Sequence, residues 1–221
     1  DIDTQTLSST YVWTNTTTGS SLGSSASITL SSTTVSPTDV ITCEVTVSDT
    51  LGDSVSDSAQ ITLGNRVPSS PTVSISPNPS ITTDSFTASV SGSTDDDNDT
   101  ITYSYEWYQD GTLTSNVNDY LDFSETSSGE TWTVRVTPND GYEDGTYTES
   151  SITIENSEPT ISTISITPNT GVYNDSVLSC SATASDDDET VTPTYEWTVG
   201  SNSYSGSSLD LATTSALPTD V

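Results

Sequence analysis

The chain has 221 residues, of which 29% are hydrophobic, 32 are Asp or Glu, two are Lys or Arg and none is His, giving a formal net charge of −30. Phosphate neutralisation needs clustered Lys and Arg, so nucleic acid is excluded as a partner, and an anionic membrane surface repels the chain for the same reason. The two cations are Arg66 and Arg135, so imidazole and amine groups are missing and with them the usual general bases, zinc ligands and Schiff-base nucleophiles.

An apolar fraction this far below the roughly 45–50% of ordinary globular chains, with such a charge, is the composition of disorder. Four Trp and ten Tyr placed in alternating runs point instead to folded, lean β-sandwiches with outer faces of Thr and Ser. No apolar run approaches the roughly 18 residues of a spanning helix, so direct membrane insertion is not expected, and no signal peptide is visible.

In chain order the sequence repeats itself. Tyr11-Val12-Trp13, Tyr105-Glu106-Trp107 and Tyr195-Glu196-Trp197 mark three copies, their Trp residues 94 and 90 positions apart. Ile41-Thr42-Cys43-Glu44-Val45 returns 91 residues later as Trp132-Thr133-Val134-Arg135-Val136, and Pro37-Thr38-Asp39-Val40 returns after 181 as Pro218-Thr219-Asp220-Val221. A period near 90 suits one seven-stranded sandwich per repeat. Asn65-Arg66-Val67-Pro68 and Asn156-Ser157-Glu158-Pro159 each close a β-rich run. Residues 1–64 are then expected to be the C-terminal half of a first domain, 65–156 a complete domain, and 157–221 the N-terminal half of a third.

The complete domain is expected to hold strand A near Thr72–Ser76, B at Ser85–Ser91, C at Thr102–Gln109, E at Asp119–Phe123, F at Thr131–Thr137 and G at Thr146–Glu155. One or two weakly marked strands fill Thr112–Asn118, and no segment has a helical period. Trp13, Trp107 and Trp197 are expected in the cores. Cys43 falls on strand F of the first domain and Cys180 on strand B of the third, the strands that carry the inter-sheet disulfide of an immunoglobulin-type sandwich. The middle domain has Ala88 and Val134 there. Each Cys therefore needs a partner outside this segment or in a neighbouring chain, which implies an oxidising setting; the alternative is two buried free thiols.

Tyr-x-Trp, then Trp132 to Gly141 (Trp-Thr-x-x-Val-Thr-Pro-Asn-Asp-Gly), then Ile152 to Thr160 (Ile-x-Ile-x-Asn-Ser-x-Pro-Thr) resemble the immunoglobulin-like tandem repeats of large secreted and cell-surface proteins of bacteria and archaea. They are similar also to polycystic-kidney-disease and cadherin-like modules. The resemblance implies an all-β fold, an extracellular location and a structural role as spacer in a stalk, fibre, filament or adhesin, with neighbouring repeats or copies of itself as partners. One departure is Ile41, which stands where an antibody domain has its corner Tyr.

Asp95–Asp99 and Asp186–Glu189 fall in the B–C loops of domains two and three, and Asp140, Glu143 and Asp144 in the F–G loop of domain two. These loops share the end of the sandwich from which strand A starts, so they face the preceding domain. Carboxylates from two loops plus linker carbonyls are the hard oxygen ligands that Ca²⁺ prefers. Asp95, Asp97, Asp140 and Asn65, with Asp186 and Asp188 at the next junction, are the candidate ligands; the bland reading is solvated turn carboxylates. No EF-hand spacing supports the metal, and no cofactor beyond Ca²⁺ is expected.

A second reading makes the chain a binding module for glycans or cell-surface proteins, through exposed Tyr108, Tyr120, Tyr142 and Tyr204. Catalysis is not expected: no Gly-x-Ser-x-Gly elbow appears, and nothing places a carboxylate pair in a concave site. Asn15, Asn98 and Asn174 fit the N-glycosylation pattern. The half domains are expected either to belong to a longer polypeptide or to complete one another between subunits, with Cys180 meeting Cys43 of a neighbour. The third copy's overlap with the first favours the longer polypeptide.

Overall fold

The computed structural model describes residues 6–214. Within them the chain is all-β. The first group of strands is β1 (Ser8–Asn15), β2 (Ser20–Gly23), β3 (Val40–Ser48) and β4 (Ser54–Thr62), in one antiparallel sheet of order β2-β1-β3-β4. The second is β5 (Thr72–Ser76), β6 (Ser80–Ile81), β7 (Phe86–Ser91), β8 (Thr102–Gln109), β9 (Thr112–Leu113), β10 (Tyr120–Leu121), β11 (Thr131–Asn139) and β12 (Thr148–Glu155). These make two sheets, β10-β7-β5 and β6-β12-β11-β8-β9. The third is β13 (Thr160–Thr167), β14 (Val177–Ser185), β15 (Glu196–Val199), β16 (Asn202–Ser205) and β17 (Ser208–Asp210), in sheets β13-β14-β17 and β15-β16. The helical content among the described residues is two three-residue 3-10 turns, Phe123–Glu125 and Leu211–Thr213, started by Asp122 and Asp210 side chains that accept from the backbone two residues on.

The middle group closes a sandwich because its strands alternate. On β11 the side chains of Trp132, Val134 and Val136 point inward while Thr133, Arg135 and Thr137 point out, and β12 buries Ile152 and Ile154 in the same way. Against them the other sheet presents Ile75, Phe86, Ala88 and Leu121, and the ten buried apolar residues form one core around Trp107, which is 0% exposed. Trp107 and Trp132 meet edge to face with ring centroids 6.5 Å apart, an arrangement that adds to the area they bury. The chain leaves the first sheet after β5 and β6 pairs in parallel with β12, a crossover the sequence pattern did not indicate.

The outer groups repeat parts of this plan. Trp13 pairs opposite Cys43 as Trp107 does opposite Val134, and Cys180 pairs opposite Ile166 as Ala88 does opposite Ile75. Both cysteines are free and half-buried. The three Tyr-x-Trp indoles each donate to a backbone carbonyl beyond strand C: Trp13 to Ser25 (2.9 Å), Trp107 to Asn118 (2.9 Å) and Trp197 to Gly206 (2.8 Å). Only Trp107 is fully buried; Trp13 and Trp197 are half-buried, which corrects the expectation that all three are core. The reason is local: β1–β4 form a single sheet with no second sheet facing it among the described residues, and Trp197 lies on a two-stranded hairpin beside the small core of Leu178, Val199, Leu209 and Leu211. Strands β4 and β13 are exposed along their whole length. The returning Pro218–Val221 lies outside the described residues.

Asn15 is 0% exposed, its amide donating to Asp39 (2.7 Å) and its carbonyl accepting from Thr17 and Thr18. The amide nitrogen that a glycan would take is therefore buried in a structural pair. Gln109 and Glu130 (2.6 Å) form the matching pair two residues after Trp107.

Candidate metal centre

The linker 63–71 joins β4 to β5 and runs beneath two loops, 92–101 between β7 and β8 and 140–147 between β11 and β12. The acidic loop is folded by its own first carboxylate: Asp95 Oδ1 accepts the N–H groups of Asp97 (2.7 Å) and Asp99 (3.2 Å). Asn98 completes the turn at φ 62°, a left-handed conformation that Asn tolerates. This winding turns Asp95, Asp97 and Asp99 toward one point, where each offers an oxygen within 4.8 Å of the others. Ligands of one Ca²⁺, at about 2.3–2.6 Å from it, are no further apart than about 5 Å.

Linker residues close the site from below. Asn65 donates to Asp140 Oδ2 (2.7 Å), and Arg66 donates to Asp97 through its backbone N–H (to Oδ2, 2.8 Å), Nε and Nη2 (to Oδ1, 3.0 and 2.6 Å). Asn98 reaches Ser32 of the preceding sheet's loop (2.6 Å). Gly145 packs its backbone against the carbonyl of Pro68, leaving no room for a Cβ. Three oxygens in this cluster, Asn65 Oδ1, Asp95 Oδ2 and Asp99 Oδ2, are shielded from solvent and have no hydrogen-bond donor. Buried acceptors without donors are costly, and a cation is what oxygen-only groups in such a place can bind.

The charges respond to this packing. Burial, then the neighbouring Asp95, Asp140 and Asp97, holds the Asp99 carboxyl above the ordinary value of 3.8. Asp97 is held below it by the side-chain and then the backbone hydrogen bond from Arg66. For Asp140, burial pushes upward but is outweighed by the N–H of Glu143, the amide of Asn65 and the N–H of Tyr142, so the net shift is downward.

Of the residues expected as ligands, the structure brings Asp95, Asp97, Asn65 and Asp140 to one place and gives them different work. Asp140 Oδ1 accepts from Tyr142 (2.8 Å) and Glu143 (2.7 Å) and its Oδ2 from Asn65, and Asp140 is not one of the three carboxylates that converge, so it positions Asn65. Asp99 takes the third carboxylate position instead. The signal for it was the alternation Asp95-x-Asp97-x-Asp99, the first three ligand positions of a calcium loop, although Thr100 stands where such loops need Gly.

The second junction repeats the clamp. Asp186 Oδ1 accepts from Asp188 (2.8 Å) and Glu189 (3.1 Å), and Asp188 Oδ2 accepts the N–H of Ser157, which stands where Arg66 stands in the first. The Thr82 hydroxyl and then the Ser157 N–H hold the Asp188 carboxyl below its ordinary value, and its Oδ1 is shielded from solvent. Thr190 occupies the place of Asp99, so the third carboxylate is missing there.

The tyrosines do not make a comparable site. Tyr108 is half-buried, stacked on Arg135 (5.0 Å) and hydrogen-bonded to Glu106 (3.2 Å). Arg135 also stacks on Tyr147 (4.3 Å) and pairs with Glu149 (2.9 Å), a cross-strand network that satisfies itself. Tyr204 packs on the third core, Tyr120 donates to Asp122, and Tyr142 is exposed on the 140–147 loop. Asn98 and Asn174 are exposed, Asn98 with its amide engaged by Ser32.

No family model matches the chain, and no curated protein matches it. Among solved structures it is similar to the FN1–FN3 domains of chicken CNTN1, at 12% identity and a TM-score of 0.32 over 95% of this chain and 77% of that one. It is similar to a 1.5-MDa bacterial ice-binding adhesin, at 15% identity and 0.30 over 93% and 74%. A tetra-tandem repeat in the extending region of a large adhesion protein matches at 16% identity and 0.33, over 95% of this chain and 59% of that one. Among the described residues no helix is long and apolar enough to cross a membrane.

Proposed function

We propose that the chain is a non-catalytic spacer segment of an extracellular stalk, fibre or adhesin on a microbial surface, built of tandem immunoglobulin-like domains. In this reading 65–156 is one complete domain and 1–64 and 157–221 are parts of its neighbours. The junctions are stiffened by a divalent cation, Ca²⁺ from its oxygen ligands. Asp95, Asp97 and Asp99 with Asn65 hold it at the first junction, and Asp186 and Asp188 are the candidates at the second. The observation that carries the reading is the clamp: linker N–H to loop carboxylate at both junctions, at the first beside buried oxygens that have no donor. A net charge of −30 adds to it, since repulsion between acidic domain ends is relieved by bound cations. Cys43 and Cys180, placed as Val134 and Ala88 are in the middle core, take partners beyond these residues or in a neighbouring chain.

The test is a thermal melt of the chain in Ca²⁺ and in chelator, with Asp99→Asn alongside. The reading expects a higher melting temperature in Ca²⁺ that the variant largely loses. An unchanged melting temperature contradicts the cation site.

A further inference from the structure

The chain has two cationic side chains, and one of them, Arg66, sits on the carboxylate cluster. The two junctions share the bond from a linker N–H to a loop carboxylate, and they differ at this position and at Thr190, which stands where Asp99 stands. At the second, Ser157 N–H takes Asp188 Oδ2, the Thr82 hydroxyl and then Ser157 hold the Asp188 carboxyl below its ordinary value, and no charged group covers the buried Asp188 Oδ1. At the first, Arg66 N–H takes Asp97 Oδ2, and the guanidinium covers Asp97 Oδ1 through Nε and Nη2. The oxygen that no charge covers at one junction is plugged by a positive charge at the other.

Resting on the cation reading above, we propose that Arg66 is a built-in competitor of the divalent cation at the first junction. Guanidinium and ion exchange on Asp97 Oδ1. The backbone N–H bond to Oδ2 does not depend on the side chain, so the linker stays pinned during the exchange. The Arg66 side chain is 64% exposed and can swing into solvent when the ion binds. Without the ion, Arg66 neutralises one of three converging carboxylates; with it, Asp97 joins Asp95, Asp99 and Asn65, whose buried oxygens have no other donor. An exposed arginine is the weaker of the two fastenings. Its effect is to lower the affinity of this junction, so that it responds at higher Ca²⁺ than the same cluster would without it.

Calcium titration of the whole chain by calorimetry, comparing the native sequence with Arg66→Ser, Arg66→Gln and Arg66→Lys, tests this, with Asp99→Asn identifying the heat that belongs to the first junction. Removing a competing exposed ion pair is expected to tighten binding by up to roughly fivefold. R66S and R66Q should show that gain and R66K should stay near the native affinity. In chelator R66S should melt lower than the native chain, and in saturating Ca²⁺ the two should melt together. Equal or weaker binding in R66S, with D99N-sensitive heat still present, overturns the role of Arg66 and leaves the cation site standing. The absence of D99N-sensitive heat in every variant overturns both.

Discussion

Gly145→Ala is the sharpest probe of how the linker is held. Gly145 donates its N–H to Pro138 O (2.8 Å), which fixes the loop from one side, and faces Pro68 on the other. A Cβ there would overlap the Pro68 carbonyl oxygen and lie 3.0 Å from Pro138 Cγ and 3.1 Å from the Pro68 carbonyl carbon. The obstacle is backbone, and Pro68 is fully buried, so no side chain can rotate away. Either the loop gives up its bond to Pro138 or the linker moves by about 1 Å, an overpacking of the kind that costs about 1–3 kcal/mol. For a domain of about 90 residues each kcal/mol moves the midpoint by about 4–8 °C, so a fall of roughly 5–20 °C is expected. Displacement of the linker also carries Asn65 and Arg66 off their carboxylates, so calcium affinity should fall with it. Gly64→Ala is the control, a linker glycine with nothing within 4 Å of its added carbon and no positive φ, expected to be neutral or slightly stabilising. The assay is thermal melting followed by Trp fluorescence, with a calcium titration of each variant. A Gly145→Ala chain that melts and binds like Gly64→Ala refutes the close approach on which the junction is built.

Asp99→Asn should act with opposite signs in the two conditions: in chelator it removes a buried like charge and raises the melting temperature, while in Ca²⁺ it removes a ligand and lowers it. The pH dependence in chelator follows from the same groups. Asp99, raised by burial and its neighbours, costs stability at neutral pH and ceases to do so as pH falls through its folded value, so the difference between native and D99N chains should shrink on acidification. Asp97 and Asp140, lowered by their donors, contribute stability that is complete above the ordinary 3.8 and is lost as pH falls through their depressed values; R66Q and Asn65→Ala should each raise the value of its partner, read by NMR titration. Trp107→Ala, which empties the centre of the ten-residue core, should cost about 3–5 kcal/mol and lower the thermal midpoint of the middle sandwich accordingly.

The middle sandwich was readable because alternation decides it. Thr102–Gln109 is a strand over the range the pattern gives, and Thr131–Asn139 runs two residues further, with Pro138 buried in line with Val134 and Val136. What escaped the pattern depends on partners distant in sequence. Ser80–Ile81 is too short to show a period and becomes a strand through Ile154 and Glu155. Asn15 carries an acceptor motif, but its neighbour in space is Asp39, 24 residues away. At the junction the sequence placed both acidic loops at one end, since loop order follows from strand order. It did not separate Asp140 from Asp99, because the winding of the acidic loop on Asp95 decides which carboxylates converge. Arg66 read only as part of a boundary, and its contact with Asp97 spans 31 residues.

The central claim is that cations at the junctions hold successive sandwiches apart at a fixed setting, and small-angle X-ray scattering of the chain in saturating Ca²⁺ and in chelator tests it most directly. The account predicts a longer maximum dimension and a less flexible profile in Ca²⁺, with Asp99→Asn shifting the calcium curve toward the chelator one. Superimposable curves in the two conditions would contradict it.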